Sequence, residues 1–529
     1  MILRKTVLLP GFCALVILAG ELGQQAPLAA AADAGTVNGI VFFDRNGDGV
    51  RDPGEPGFPG IVVTLFGKKA GSKLPGNSLY LVTSTDSKGR FVFPGTLIGR
   101  DSTYTVSTGG APRVAVIATS YHPTRTFYTA TDGNDKNPGN REQPFRTIGH
   151  AVPLLEAGDL LYVRQGEYRE HISTVSRPLG GGSGWDRPIV LAGMPGETVV
   201  VRPPERDSGE PLVDLAFPRQ QYLVFDNMVL DASDATVPFR SQSRDGKELP
   251  PSHIRLINCE LAESNRSAVS FVGNDHQFIN CRIHDNGHED SDHGLIVSGS
   301  SSLIHGCDIY HNFGCGIYFS LAAPGTASNN VIRGNRIHDN CPTGRAPGIG
   351  LSAGRKNMVY DNVIWGNLYG IMISEHGYEE QILNNTIYGN RGPGVGVGED
   401  KETHDNLVRN NILIRNREPN LLLWRQTTTV QDHNMVDGDP RFCDPLGNDF
   451  HLKKDSPAIG RGIAIPDVRT DFDGIPRPPQ GKSCDLGAYE YSEDSFVVTT
   501  GSHVSSIYAG QTHPIVIGFS KKAASNVGR

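Results

Sequence analysis

The sequence predicts an all-β protein whose main body is a solenoid of stacked coils, a parallel β-helix. The first observation is an internal repeat: Cys259, Cys281, Cys307, Asn335, Asn362, Asn385 and Asn411 recur every 22 to 28 residues. The second is the surroundings of this anchor. Three residues before it stand Leu256, Phe278, Ile304, Ile332, Val359, Ile382 and Val408; two after it stand Leu261, Ile283, Ile309, Ile337, Ile364, Ile387 and Leu413. The third is the punctuation. Immediately before the anchor come Asn258, Asn280, Gly306, Gly334, Asp361, Asn384 and Asn410, residue types that tolerate a left-handed backbone. Five residues after it come Asn286, Asn312, Asn340, Asn367, Asn390 and Asn416, and a second apolar strand follows each, in most repeats behind a Gly.

Each repeat is therefore several short strands between turns, without room for a helix. Such a unit cannot bury its apolar face alone. Coils stacked about 4.8 Å apart pair edge to edge and share one core. Asn at equivalent turns then forms hydrogen-bonded ladders, and the three anchor Cys stack as small apolar groups. The rival at this period, a leucine-rich horseshoe, needs several Leu at fixed short spacing, and the sequence lacks them.

Bulk composition agrees. Gly (63) and Pro (35) are abundant, hydrophobic residues are 38% and charged residues 20%, which fits a globular chain of many turns. The net charge of −8 and the absence of a long basic run argue against nucleic acid or an anionic membrane as partner.

Residues 1–32 read as a signal peptide: Arg4 and Lys5 are followed by the apolar stretch Val7 to Ala19 and the small residues Ala29 to Ala32. The stretch is short for a membrane span, so an exported chain without membrane insertion is expected, secreted, surface-bound or periplasmic. Cys13 leaves with this segment. Seven Cys follow, an odd number, and Cys443 and Cys484 are candidates for pairing.

Residues 36–110 form a candidate β-domain. An alternating strand, Val37 to Phe43, runs into Asp44-Arg-Asn46-Gly-Asp48-Gly49-Val50-Arg-Asp52-Pro-Gly-Glu55. Asp44, Asn46, Asp48, Val50 (by its carbonyl), Asp52 and Glu55 occupy positions 1, 3, 5, 7, 9 and 12 of a twelve-residue calcium loop, with Gly49 at the sharp turn. A hard cation wants this crowd of oxygens, and the crowd repels itself without one. With the later Thr85-Asp86-Ser-Lys-Gly89-Arg-Phe91 turn, the segment resembles the calcium-binding B-type domains of bacterial surface adhesins. That resemblance implies an immunoglobulin-like β-sandwich serving as a calcium-stiffened spacer.

Residues 126–435 carry the coils. Their entrance, Phe127 to Gly139 followed by Gln143-Pro-Phe145-Arg-Thr147-Ile148 and Ala157-Gly-Asp159, resembles the opening of the pectate-lyase-like right-handed parallel β-helix superfamily. The resemblance implies a right-handed coil and a short capping helix near Thr147 to Leu155. Residues 436–491, including Gly438-Asp-Pro-Arg-Phe442, Ser456-Pro-Ala-Ile459 and Asp485-Leu-Gly-Ala-Tyr-Glu490, resemble the closing segment of the same exported proteins. Residues 492–529 are a tail without a recognisable anchor motif.

A packed β-helix has no inner cavity, so a ligand lies along the outside. One outward column reads Ala262, His284, Tyr310, His338, Trp365, Tyr388 and Ile414, rings suited to stacking on sugar faces; another reads Glu260, Arg282, Asp308 and Arg336, a charge ladder. The polar loops Gly287-His288-Glu289-Asp290-Ser291-Asp292-His293 and Cys341-Pro-Thr-Gly-Arg345-Ala-Pro347 flank the short Phe313-Gly-Cys315, which predicts a cleft floored near Tyr310, Phe313 and Tyr318.

Elimination on a uronate needs a cation for the carboxylate, a base for the C5 proton and an acid for the leaving oxygen. Asp290 and Asp292 are candidates to hold calcium, Arg345 to meet the carboxylate, and His288, His293 or Tyr310 to move protons. Glu375-His376 and Glu399-Asp400 are further candidates. The expected partner is an acidic polysaccharide and the expected activity a lyase, with hydrolysis or epimerisation as alternative chemistries. The other reading is a non-catalytic glycan-binding surface protein, since the diagnostic catalytic motifs of the family's best-known lyases are not found here.

Overall fold

A computed structural model describes residues 123–491 with short interruptions, together with the backbone of strands on either side. The chain divides into two units. One is 119–441 with 455–490; the other is 1–118 with 442–454 and 491–529.

In the first unit, three sheets of twelve, ten and nine strands run the length of a parallel solenoid among the described residues. Sheets 1, 2 and 3 are named in the order in which each coil visits them. One coil reads Val331–Arg333 in sheet 1, Arg336–His338 in sheet 2 and Pro347–Ser352 in sheet 3. Equivalent residues of neighbouring coils stand in register, as in Ile304↔Ile332, Ile309↔Ile337 and Ile317↔Ile349. The apolar positions flanking the anchor all point inward and form one continuous buried core.

The corners explain the repeat. The turn from sheet 1 to sheet 2 is two residues long, and its first residue is left-handed: Asn258, Asn280, Asp361, Asn384 and Asn410 have φ of 53, 53, 53, 51 and 61°, with Gly306 and Gly334 equivalent. The second residue is the anchor. Asn335 donates from its backbone N (3.0 Å) and Nδ2 (2.9 Å) to Asn362 Oδ1, Asn362 does the same to Asn385 and Asn385 to Asn411. Cys259, Cys281 and Cys307 continue this column as buried free thiols.

A second ladder, Asn286–Asn312–Asn340–Asn367–Asn390–Asn416, turns the chain from sheet 2 toward sheet 3. It also accounts for the glycines. A Cβ on Gly294 would stand 2.8 Å from Asn312 Nδ2, and one on Gly348 3.0 Å from Asn367 Nδ2, so the ladder occupies the space that a side chain would need. A third ladder, absent from the sequence reading, lies between sheets 3 and 1: Ser302, Asn330, Asn357, Glu380 and Asn406. These residues stand five before the anchor, so the signal was present but interrupted by a Ser and a Glu.

The capping helix is shorter than expected: Ile148–Ala151 continues as a 3₁₀ turn, Val152–Leu154. The Glu170 carboxylate of the first coil accepts from Ile148 N (2.9 Å) and Gly149 N (2.7 Å), satisfying helix-start donors. At the other end, residues 455–490 are held by Arg477. Its guanidinium, 2% exposed, donates to Asp361 Oδ1 (2.6 Å) on a coil corner and to Glu490 Oε1 (2.5 Å). Cys443 and Cys484, the candidates for pairing, are not joined by a disulfide.

In the second unit, Val62–Lys69 pairs antiparallel with Ser78–Ser84 and with Ser102–Thr108. Val37–Asp44 pairs antiparallel with Arg90–Phe93 and parallel with His513–Lys521, so part of the tail is a strand. Asp44 ends its strand; Asn46, Asp48, Val50, Asp52 and Glu55 lie outside the described residues.

A candidate groove on the sheet with long loops

Loop length decides which face is open to a ligand. Apart from residues 194–198, the turns from sheet 1 to sheet 2 are two residues long, whereas both edges of sheet 3 carry longer connections. One wall comprises residues 287–293, 339–343 and 391–394; the other includes 375–379. Between them, the outward positions of sheet 3 from Ser270 onward read Ser270, Ile296, Tyr318, Gly350, Met372, Gly396 and Leu422, an uncharged floor; the two strands before it carry the ion pair Asp214–Arg240 at the same position.

Tyr318 is the titratable group of this floor. Its hydroxyl hydrogen-bonds the Ser352 side chain and feels the Glu375 carboxylate; burial pushes its proton affinity above the ordinary phenol value. Ser352 Oγ lies 3.5 Å from Ser374 Oγ. The next two residues are unusual. Glu375 (φ 51°) and His376 (φ 72°) are consecutive left-handed non-glycine residues, closed by Gly377 N donating to Ser374 O at 3.2 Å. Gly, Asn or Asp normally fills such a turn, so a Glu-His pair stores strain of roughly 1–3 kcal/mol per residue. The turn carries a carboxylate and an imidazole at the lip of the groove.

The predicted site residues separate. His288, Asp290, Asp292 and His293 lie on the first wall, and their polar atoms serve it. Asp292, buried, accepts from His288 N (3.0 Å) and Glu289 N (3.1 Å). His288 Nε2 lies 3.1 Å from Asn265 Oδ1. His293 accepts the Cys315 N–H on Nδ1 at 2.9 Å and packs its ring 4.6 Å from Tyr318; burial depresses its pKa to about 4, so it is neutral with its proton on Nε2. Asp290 accepts from the Thr343 hydroxyl, which ties the two long loops together. Beneath that tie Cys315, Cys341 and Ala346 pack against Tyr318. The interval expected to be a cleft is thus bridged and filled, and the groove runs beside it, across the strands of sheet 3 from coil to coil. Arg345 lies outside the described residues. Arg391 supplies described positive charge on this wall, donating to the carbonyls of Cys341 and Pro342.

Tyr310 stands elsewhere, on the outer face of sheet 2. The ring column exists as read: His284, Tyr310, His338 and Trp365 stack with centroids 4.7, 5.1 and 4.1 Å apart and planes within 8°. The rings cover one another's faces, however, so the column offers edges and not platforms to a sugar. Carboxylates clamp its imidazoles. His338 meets Asp308 (3.1 Å) and Asp339 (2.9 Å), and His284 meets Glu260 (3.4 Å) and Asp285 (2.7 Å). Burial works against the charged rings, but these bonds outweigh it and raise both pKa values. The charge ladder also exists: Arg282 donates to Glu260 at 2.7 Å and to the Tyr310 hydroxyl at 2.9 Å.

Comparison with known proteins places the fold. A family model described as a right-handed beta helix region matches residues 236–377 and 325–437, and one described as a protein of unknown function, DUF1565, matches 131–175. An uncharacterized protein, YwoF, of Bacillus subtilis (strain 168) is 25% identical over 374 residues, covering 61% of this chain and 77% of that protein. The crystal structure of pectate lyase Pel9A superposes with a TM-score of 0.56 at 16% identity over 70% of this chain and 98% of the other. A complex of XylC with xylose gives 0.45 at 11% identity over 69% and 98%. The main body of this chain is a right-handed parallel β-helix, of the fold that the pectate lyase displays.

Proposed function

We propose that this is an exported protein that acts on an acidic polysaccharide lying across the coils in the groove of sheet 3, by lyase chemistry. The observation that carries the reading is the juxtaposition of the Tyr318 hydroxyl with the strained Glu375-His376 turn on an otherwise uncharged floor. In the elimination, the Glu375-His376 pair takes the C5 proton, the C4–O bond breaks as the C4–C5 double bond forms, and Tyr318 returns a proton to the leaving oxygen. Burial keeps the Tyr318 hydroxyl protonated for that task. Arg391 meets the sugar carboxylate, and Arg345, which lies outside the described residues, is a second candidate for it. His288 and Asp290 line that wall, while Asp292 and His293 position it.

The test is incubation with alginate, pectate and glycosaminoglycans, followed by the absorbance of the unsaturated product. Tyr318→Phe is expected to lower kcat by about 100-fold or more with unchanged thermal unfolding. Product formation by Tyr318→Phe at the wild-type rate would remove this assignment. The uncharged floor favours a second reading, a non-catalytic glycan-binding protein with a spacer; retention on a polysaccharide column with no product would establish it. The solved pectate lyase of the same fold makes a uronate chain the first class to try.

We propose further that Asp44, Asn46, Asp48, Val50, Asp52 and Glu55 bind calcium. The donor set fits a hard cation, being all oxygen with a glycine at the turn. Chelation is expected to make the 36–110 segment sensitive to protease, and added calcium to restore protection. Equal cleavage with and without calcium would exclude the site.

A further inference from the structure

Two glycines in the floor of sheet 3 have no backbone reason to be glycine. Gly350 and Gly396 are absent from the positive-φ residues and sit inside parallel strands, where glycine weakens the strand and commonly marks the close approach of another group. The approaching groups here are rings. A Cβ on Gly350 would stand 3.1 Å from Tyr318 Cδ2. A Cβ on Gly396 would stand 2.8 Å from Trp424 Cζ3 and 3.0 Å from Met372 Sδ. Tyr318 therefore leans over Gly350, and Trp424, from the next coil, leans back over Gly396 against Met372. Both aromatic residues are partly exposed. Unlike the rings of sheet 2, these two are separated along the groove and do not cover each other.

Resting on the reading above, we propose that Tyr318, Met372 and Trp424 form a length-gauging track for a linear acidic glycan. The Trp424 and Tyr318 rings each take the C–H face of one sugar. The glycines beneath the two rings, Gly350 and Gly396, are two coil steps apart through Met372, about 10 Å at the strand spacing. A hexopyranose unit is close to one coil step long, so the two rings hold units two linkages apart. A trisaccharide is then the shortest chain that touches both. Charge complementarity sets its direction of facing: the floor carries no charge and accepts sugar C–H faces, while Arg391 on the first wall draws the carboxylates to that side.

The chain has three Trp, and the other two lie on other faces: Trp365 in the sheet 2 stack and Trp185 under the Arg255 guanidinium of sheet 1. In the full chain carrying Trp185→Phe and Trp365→Phe, emission reports Trp424 alone. Titration with alginate and pectate oligosaccharides of two to six units should change that emission. Half-saturation should fall at least on the order of tenfold between the dimer and the trimer of the bound class. Trp424→Ala should weaken retention of the trimer on the order of tenfold with unchanged unfolding, and Gly396→Val, which displaces the ring without removing it, should do the same. Unchanged emission, or equal affinity for dimer and trimer, while polymer is still retained or cleaved, would overturn the track and leave the broader reading standing. Absence of retention, product and emission change with every polymer of the panel would overturn both.

Discussion

Glu380 is the most informative single residue outside the groove. It occupies a ladder position otherwise filled by amides and receives only neutral donors there, Asn357 N at 3.0 Å and Asn357 Nδ2 at 2.9 Å. Burial pushes its carboxyl from the ordinary 4.5 up to about 8. The folded state therefore keeps a proton that the unfolded chain has lost between those two values. This contribution is fully present below about 4.5 and is lost as the pH rises to about 8. Glu380→Gln keeps the shape and removes the titration. It should be the more stable protein above neutral pH, by on the order of 4 kcal/mol at pH 8 and beyond. Denaturant unfolding from pH 5 to 9 checks this; parallel curves for the two proteins would refute it. At Glu375 and His376 strain and activity should trade. Glu375→Asn with His376→Gly relaxes the turn and should raise stability by about 1 kcal/mol or more while abolishing turnover. Higher Tm with intact activity would show that the pair has no chemical part.

At the scale of elements, the ladders and the ring column differ in what holds them. Asn362 donates to Ile332 O (2.9 Å), Tyr360 O (3.0 Å) and Asn385 Oδ1 (3.0 Å) while accepting twice from Asn335. Its loss orphans buried groups on both neighbouring coils, so Asn362→Ala should cost roughly 2–4 kcal/mol. Cys307→Ala, in the apolar part of the same column, should cost less, and unfolding midpoints compare the two directly. The sheet 2 column favours protonated imidazoles. Since His284 and His338 have raised pKa values when folded, the stability they add is present below about pH 6.5 and is lost as the pH climbs through the folded values. His338→Phe keeps the stack and removes the proton, so its Tm should fall less than that of the wild type between pH 6 and 9. Identical pH profiles would show that the column is held by packing alone.

The solenoid unit is closed by a buried charge network. Arg477 is nearly inaccessible and joins the final segment to Asp361 on a coil corner, with Glu490 and the carbonyl of Gly487 (2.9 Å) as further partners. Phe472 lies under the Arg336 guanidinium at 5.5 Å, and Ala488 N donates to Thr386 Oγ1 at 3.0 Å. Removing one member of such a network strands the others without water. Arg477→Met should therefore destabilise by about 3–5 kcal/mol, with Asp361→Asn in the same chain recovering part of the loss. Hydrogen exchange should show the loss first in residues 455–490. Uniform loss along all coils would mean that the segment is not an independent closure.

Much of this architecture was legible before any coordinate, and the boundary is physical. A β-helix repeats one local solution, so each coil states the same requirements: apolar residues at fixed offsets, a left-handed corner, and an amide to stack. Asn335, Asn362 and Asn385 could be placed in register because register is a local property copied coil by coil. Glu380 and Ser302 escaped because they break the residue pattern while keeping the position. The groove was harder. Asp290 and Thr343 meet across 53 residues, and nothing in either loop specifies that meeting. Tyr310 and Tyr318 are close in sequence, yet an intervening corner sends them to different sheets. The sequence by itself determined the coil, its ladders and its core, since these follow from periodic burial and hydrogen-bond demand. Only the tertiary structure decided which face stays open and which side chains share it, since that depends on how loops of unequal length fold over one another.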